Sequence, residues 1–201
     1  MSANYNRFIL SIMAACAMAA IALFSMTKAY AAPRVVADTF TATTANMTPA
    51  GLSLRIQVLE WQEVDARAEV VASLAAGADA ATPIGKLPTV GYVWPQGSPV
   101  GYSLKYAHRE QEPDGSDRIT LVTDRPLGSY DFKGWSVASP AVKNDAPYSV
   151  IELELNDSGS GSGNLSLVGE VSLDEAAGTV TLDSSAAPSL LTNVKREAAT
   201  P

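Results

Sequence analysis

The segment 123–126, Thr-Asp-Arg-Pro, is the polar group of this chain with the best claim to a functional role. The guanidinium of Arg125 can fork onto a carboxylate, and Asp124 can accept backbone N–H groups where the following proline stops a strand. One interpretation, and the more economical one, is a polar clasp that fixes this corner of the fold. The alternative is a pocket mouth at which Arg125 recognises an anion, beside Tyr102 and Tyr106.

The single histidine, His108, limits the catalytic chemistry that the chain can perform. A Ser-His-Asp triad would have to use it, yet no Gly-x-Ser-x-Gly elbow accompanies it, and the Ser-Gly run of 158–163 has the wrong phase. His108 ends a strand face lined by tyrosines. It is therefore either a strand-end residue satisfied by a neighbour or a ligand-binding or pH-sensing group. No catalytic residue is predicted.

Metal and cofactor sites are not expected either. One histidine and one cysteine cannot supply the three ligands of a zinc site, and the acidic residues lack the spacing of an EF-hand. The run 114–117, Asp-Gly-Ser-Asp, is typical of a turn. Glu152 and Glu154 would lie about 7 Å apart on one strand face. That face is typical of solvent exposure, and a carboxylate-based hydrolase is the minor alternative.

The first 31 residues are predicted to be a signal peptide rather than part of the fold. Arg7 gives a positive start, an apolar stretch covers 8–26, and Ala-Tyr-Ala ends at Ala31 as a signal-peptidase site. A retained membrane anchor and a lipid on Cys16 are the alternatives, but apolar residues continue for ten positions beyond Cys16. We therefore expect cleavage after Ala31 and a periplasmic or secreted protein.

The remaining chain, 32–201, is expected to form a single β-rich domain. It has 170 residues, and the loss of Arg7 and Lys28 leaves 12 basic against 21 acidic residues, a net charge of −9. No cysteine remains for a disulfide, so the core alone must hold the domain together. Because basic residues are not clustered, nucleic acid is not an expected partner, and no apolar segment remains that could span a membrane.

Alternating apolar and polar residues predict a series of short strands. In the strand 101–108, Tyr102, Leu104, Tyr106 and His108 are expected to share one face. The Ser/Gly-rich connection 156–163 is expected to be a flexible loop. The predicted strands are 34–41, 52–59, 89–94, 101–108, 118–123, 148–155, 165–173, 179–183 and 190–195, and 130–137 is predicted to be a weaker strand or a loop.

One helix is predicted between the second and third strands. Residues 60–77 contain strong helix formers, and Val64, Ala68, Val71 and Ala75 form a thin apolar stripe that needs a packing partner. A continuation towards Lys86 is expected to be broken at Pro83. The predicted fold is mainly β, an antiparallel sandwich or barrel of about eight or nine short strands, with one inserted helix across an open end or one face of the sheet.

Several segments of the chain together resemble an uncharacterised family of secreted bacterial β-rich proteins of unknown function. The shared segments are Gly101-Tyr102, Tyr106-Ala107, Arg118-Ile119, 122–126, 148–153, the Gly-rich connection before Leu165, and 191–195. The resemblance implies a signal peptide and a mostly β domain, and it implies no activity. The Ala-rich helical segment, broken at Pro83, departs from the family and argues against a docking role for that segment.

The function expected from these observations is that of an exported, non-enzymatic domain that binds a small apolar or anionic ligand. The candidate ligand-binding residues are Arg125, Asp124, Tyr102, Tyr106 and His108. The alternative is a structural or assembly factor of the cell envelope that acts through protein contacts. The expected partner is accordingly an unknown small molecule or an envelope protein.

Overall fold

The computed structural model describes residues 35–45, 51–127, 147–166, 171–182 and 189–198. The predicted signal peptide, which contains Cys16, and the segment 130–137, predicted as a weaker strand or a loop, lie outside these residues and stay predictions. The described strands are β1 (Asp38–Thr44), β2 (Ser53–Val58), β3 (Gly91–Pro95), β4 (Tyr102–Gln111), β5 (Asp117–Thr123), β6 (Val150–Leu155), β7 (Ser160–Ser166), β8 (Val171–Asp174), β9 (Thr179–Leu182) and β10 (Ser189–Glu197).

Eight of these strands close an antiparallel barrel in the order β1-β10-β7-β6-β5-β4-β3-β2. Neighbours in the barrel follow one another along the chain, except that β10 inserts between β7 and β1. Strands β8 and β9 form a separate hairpin between β7 and β10. The prediction of a mainly β, antiparallel fold is confirmed, and of the two architectures left open, the chain forms the barrel.

The barrel interior is filled by apolar side chains. An eight-stranded barrel leaves an interior just wide enough for the inward side chains of its strands, and here alternate residues of every strand supply them. The fully buried members include Phe40, Ile56, Leu104, Ile119, Leu121, Ile151, Leu153 and Leu165. This interior is therefore a packed core.

Two helices connect β2 to β3. Helix α1 spans Val64–Leu74, a 3₁₀ turn follows at Gly77–Ala80, and α2 spans Ala81–Lys86. Gly77 has a φ of 62°, a conformation that favours glycine and ends the helical run. The prediction that Pro83 breaks the helix is wrong. Pro83 lies in the first turn of α2, where a backbone N–H would have no hydrogen-bond partner within the helix, so its absence costs nothing. No helix within the described ranges is long and apolar enough to cross a membrane.

A second apolar cluster lies outside the barrel, and we call it the outer layer. It is formed by α1, α2 and the β8–β9 hairpin where they pack on the outward side chains of β4, β5 and β6. Of the two placements predicted for the helix, an open end or one face of the sheet, the helix takes the face. The buried members of the outer layer are Val70, Val71, Leu74, Ala80, Ile84, Leu87, Tyr106, Val122, Tyr148, Val150 and Val180.

A β-bulge at Lys105 reverses the faces of β4. Leu104 lies opposite Thr123, and the next paired residue, Tyr106, lies opposite Val122, so one extra residue occupies β4. An extra residue shifts the alternation of side chains by one. The prediction that Tyr102 and Tyr106 share a face is therefore wrong, because Tyr102 belongs to the interior and Tyr106 to the outer layer.

The Ser-Gly run enters a barrel strand, and the prediction of a flexible loop over 156–163 is wrong for 160–163. Only 156–159 forms a turn, in which Gly159 N–H donates to the carbonyl of Asn156, and β7 follows directly. A Cβ at Gly161 would overlap the carbonyl oxygen of Glu154, and one at Gly163 would overlap that of Glu152. Glycine here allows β6 and β7 to approach closely.

Candidate functional site

The structure separates the five predicted site residues into three places. Tyr102 is buried in the barrel interior, where it packs among apolar side chains. Tyr106 and His108 lie together on the outer face of β4, with ring centroids 6.4 Å apart in an edge-to-face arrangement. Asp124 and Arg125 lie at the corner that follows β5. The five residues therefore do not form one pocket.

The corner contains an ion pair between sequence neighbours. Arg125 Nε and Nη2 donate to the two carboxylate oxygens of Asp124 at 3.2 and 3.0 Å. The Arg125 side chain is 46 % exposed and that of Asp124 is 10 % exposed. A pair this open to water is screened and contributes little to stability.

Buried hydroxyl groups fasten this corner instead. The Thr123 hydroxyl donates to the carbonyl of Arg125 at 2.7 Å and accepts from the Ser149 N–H at 2.8 Å. The Ser149 hydroxyl accepts from the Leu127 N–H at 3.0 Å. Thr123 and Ser149 are 0 % and 1 % exposed, so these bonds are shielded from water. The predicted polar clasp exists, but Thr123 and Ser149 form it.

The bulge residue Lys105 is buried close to this corner. Its Nζ donates to the carbonyl of Leu87 at 2.7 Å and to the Thr89 hydroxyl at 3.1 Å. Burial lowers the pKa of Lys105, and the nearby Asp124 carboxylate acts in the opposite direction. These two bonds tie the end of α2 to β4, so Lys105 has a structural task.

A row of polar side chains crosses the outer face of the barrel beneath α1 and the β8–β9 hairpin. Strand register aligns His108 with Thr120, and Thr120 with Glu152. Thr120 is buried, whereas His108 and Glu152 are half-buried at the two ends of the row. The Leu182 N–H of the hairpin donates to Glu152 Oε1 at 2.8 Å. The row thus links the hairpin to the barrel and reaches solvent at both ends.

Arg67 of α1 is buried against this row, and the sequence analysis missed it. The side chains that α1 buries are Arg67, Val70, Val71 and Leu74, at the i, i+3, i+4, i+7 spacing of one helix face. The predicted stripe began instead at Val64, which is 48 % exposed. Three apolar residues at this spacing already defined the inward face, and the same spacing extended backward places Arg67 on it.

Arg67 is 7 % exposed, and its Nε and Nη1 have no hydrogen-bond acceptor among the described residues. It takes part in none of the ion pairs formed between those residues. The Tyr106 hydroxyl is its polar neighbour: it donates to the Gly178 carbonyl at 2.9 Å and interacts with Arg67. A buried cation with no anionic partner in the described part of the chain is costly, so its environment is unusual for a purely structural arginine.

Burial is the largest cause of the pKa shifts in this layer. It lowers the pKa of His108, and the positive charge of Arg67 acts in the same direction. It raises the pKa of Tyr106 and the pKa of Glu152. Each shift favours the neutral form of its group, so Arg67 is a fixed positive charge among groups that are held towards neutrality.

A second group of carboxylates lies at one end of the barrel. A pocket of about 620 Å³ there is lined by Glu112, Asp114, Asp117 and Glu154 among others. Glu112 pairs with Arg118 at 3.0 Å and Asp117 with Arg196 at 2.6 Å, while hydrogen bonds from Ser116 lower the pKa of Asp114. Glu152, which the hydrolase hypothesis paired with Glu154, is bound to the hairpin. No cluster of three or more His, Cys, Asp or Glu within the described ranges could hold a metal ion.

Comparison with known proteins adds no functional assignment to this geometry. No family model matches the chain, and neither the curated proteins nor the solved structures include a significant match. The resemblance to a family of secreted bacterial proteins therefore stays a prediction. The proposals below depend on the residues of this chain alone.

Proposed function

We propose that this protein is an exported, non-enzymatic barrel that binds a small carboxylate-bearing ligand in its outer layer, with Arg67 as the anion-binding residue. Export follows from the signal-peptide pattern that ends at Ala31. The class of ligand follows from the positive charge of Arg67 and from the burial of its side chain. His108, at the margin of the same layer, is a second group that can donate to an anion.

The buried guanidinium of Arg67 is the observation that carries this proposal. Arg67 is more than nine-tenths buried, and two of its nitrogens lack an acceptor among the described residues. A carboxylate would supply charge-assisted hydrogen bonds, which are about twice as strong as neutral ones. It would also offset the cost of holding a cation away from water.

The barrel interior gives less support for an apolar ligand. Its side chains are packed against one another, and the largest of them, including Tyr102, Phe40 and Leu121, are less than 2 % exposed. A ligand in that interior would have to displace core side chains, each of which contributes about 1.5–3 kcal/mol by its burial. The anionic ligand in the outer layer is therefore the version that we propose.

The test compares two arginine variants of the exported chain by thermal denaturation in the presence of succinate, acetate or inorganic phosphate. Arg67→Met keeps the apolar stem and removes the charge, and Arg125→Met is the matched control at an exposed, ion-paired arginine. A ligand at about 100 times its Kd stabilises a protein by about 2.7 kcal/mol, or roughly 5–10 °C at this size. We expect succinate or acetate to stabilise the wild type and Arg125→Met, and to leave Arg67→Met unchanged.

Arg67→Met should fold, because replacement of a buried ion by an apolar residue is often neutral or stabilising. Equal stabilisation of Arg67→Met and the wild type would contradict a site at Arg67. The absence of any carboxylate effect on the wild type would contradict the ligand class. Stabilisation by phosphate alone would likewise contradict the carboxylate.

A further inference from the structure

A second surface, on the outer face of β1, β2 and β3, has a different chemistry from the outer layer. A groove of about 620 Å³ crosses these strands. The residues that line it include Leu54 and Pro95, which are buried, and Trp94, which is half-buried. We infer that this groove binds a neutral hexose oligosaccharide, with one sugar ring stacked on Trp94.

Strand register arranges the side chains of this face as two parallel rows. One row aligns Thr41, Arg55 and Trp94, and the next aligns Gln57 with Tyr92. The Tyr92 and Trp94 rings lie on the same strand with centroids 5.5 Å apart, close to the length of one pyranose unit. Hydroxyl, guanidinium and amide groups therefore flank an aromatic wall.

This combination fits a sugar because a pyranose ring has two kinds of surface. Its carbon-bound hydrogens form an apolar face that packs on a flat aromatic ring, and its hydroxyls require donors and acceptors around that ring. Arg55, Gln57 and Gln96 supply such groups at the rim of the groove. Gln96 Oε1 accepts from the Ser53 N–H at 3.2 Å, which orients its amide.

A protein partner fits the groove less well. The centre of a protein interface is depleted of charged groups and enriched in apolar ones. Six residues that line the groove are polar: Thr41, Ser53, Arg55, Gln57, Gln96 and Ser98. The large hydrophobic residues exposed in the described part of the chain, such as Val64 and Val100, are not among the residues that line it.

Gly101 positions the aromatic wall. A Cβ at Gly101 would lie 2.7 Å from Trp94 Cε2 and 2.8 Å from its Nε1, so only glycine lets the indole lie against the backbone of the following strand. Gly101→Ala would therefore displace the ring without removing it. This gives a variant that changes the groove while every groove side chain remains present.

The experiment titrates the protein with cellohexaose and maltohexaose and follows tryptophan fluorescence and amide chemical shifts. We expect binding that perturbs the amides of Gln57 and Gln96. Trp94→Ala should weaken it about 10-fold, the loss of one aromatic stacking contact, and Trp94→Phe by a smaller factor. Gly101→Ala should weaken binding as well, and Arg67→Met should leave it unchanged.

Two results would overturn the inference. One is the absence of binding by either sugar at concentrations up to about 1 mM, and the other is wild-type affinity in Trp94→Ala. Folding of each variant is checked by the dispersion of its amide spectrum. Arg67→Met retains the groove, and Trp94→Ala retains the outer layer. The sugar proposal and the carboxylate proposal can therefore fail independently of each other.

Discussion

The barrel interior and the outer layer are both buried, yet they hold different kinds of side chain. The interior cluster is built from apolar residues, with Tyr102 as its one titratable member among the described side chains. The outer layer buries Arg67, Tyr106 and Tyr148, with His108 and Glu152 at its margins. Both regions use the same strands, since β4, β5 and β6 supply inward residues to one and outward residues to the other.

The geometry of a closed barrel explains the difference. Inward side chains from all eight strands converge on a narrow space and pack against one another there, so a polar group has little access to water and few partners. The outer layer is closed by two helices and a hairpin, whose backbone offers groups such as the Gly178 carbonyl and the Leu182 N–H. Polar side chains can find hydrogen-bond partners there, and the ligand that we propose would supply further acceptors.

The largest expected effect is truncation of the interior. Leu153→Ala removes a side chain that is 0 % exposed and packed beside Gly163, and we expect the free energy of unfolding to fall by about 2–5 kcal/mol. Urea denaturation measures it. Val100→Ala, at a residue that is 48 % exposed, is the control and should change it by less than about 0.5 kcal/mol. Equal effects would mean that the interior is loosely packed.

The next effect tests the close approach of β6 and β7. Gly163→Ala places a Cβ against the carbonyl oxygen of Glu152 and 2.9 Å from Leu153 Cδ2, and we expect a loss of about 1–3 kcal/mol. Gly85→Ala makes the same chemical change in α2, where a Cβ meets nothing within 4 Å, and should stabilise by about 0.5–1 kcal/mol. Denaturation of both variants checks the pair. A neutral Gly163→Ala would favour the flexible loop predicted from composition.

The barrel framework could be predicted from the sequence because its signal is local. Alternation in 52–59 and 148–155 marks strands whose inward faces are apolar, and the described β2 and β6 lie within those ranges. The Ser-Gly strand could not be found in this way. Its glycines are needed because of the neighbouring strand, and a contact between strands leaves no pattern in the residues of one.

The candidate site was harder to predict, for a similar reason. The bulge at Lys105 depends on pairing between β4 and β5, so the assignment of Tyr106 to the face of Tyr102 was wrong although the strand itself was correct. Arg67 did leave a signal, since it continues the buried face of Val70, Val71 and Leu74. Arginine side chains are rarely fully buried, so a charged residue at this position of a helix is normally predicted to be exposed.

A smaller effect, opposite in sign, is expected where the outer layer holds a titratable group. Burial raises the pKa of Glu152 above its ordinary value, with Glu154 adding to the shift and the Leu182 N–H and Arg118 opposing it. The folded state then holds the proton more tightly than the unfolded state does. The resulting stability is present below the unfolded pKa and is lost as pH rises through the folded pKa.

Glu152→Gln keeps an oxygen that can accept from Leu182 and removes the charge. We expect the variant to be more stable than the wild type at pH 7, by less than the cost of Gly163→Ala. The difference should shrink as pH falls through the raised folded pKa towards the unfolded pKa of about 4.5, and stay constant below it. Thermal denaturation across pH 3–8 measures the two curves. Parallel curves would mean that the Glu152 carboxylate is as well solvated in the folded chain as in the unfolded one.

The smallest effect is expected from the Asp124–Arg125 ion pair, at the corner where the polar clasp was predicted. Arg125→Ala removes an ion pair whose cation is 46 % exposed, and such pairs contribute less than about 1 kcal/mol. Thr123→Val keeps the shape of a residue that is 0 % exposed but leaves the Ser149 N–H without its acceptor, at a cost of about 1–3 kcal/mol. Urea denaturation of both variants ranks the two contributions. If Arg125→Ala were the more damaging change, the exposed ion pair would stabilise this corner more than the buried hydroxyl does. Burial of a polar group would then not indicate that the group contributes to the stability of this fold.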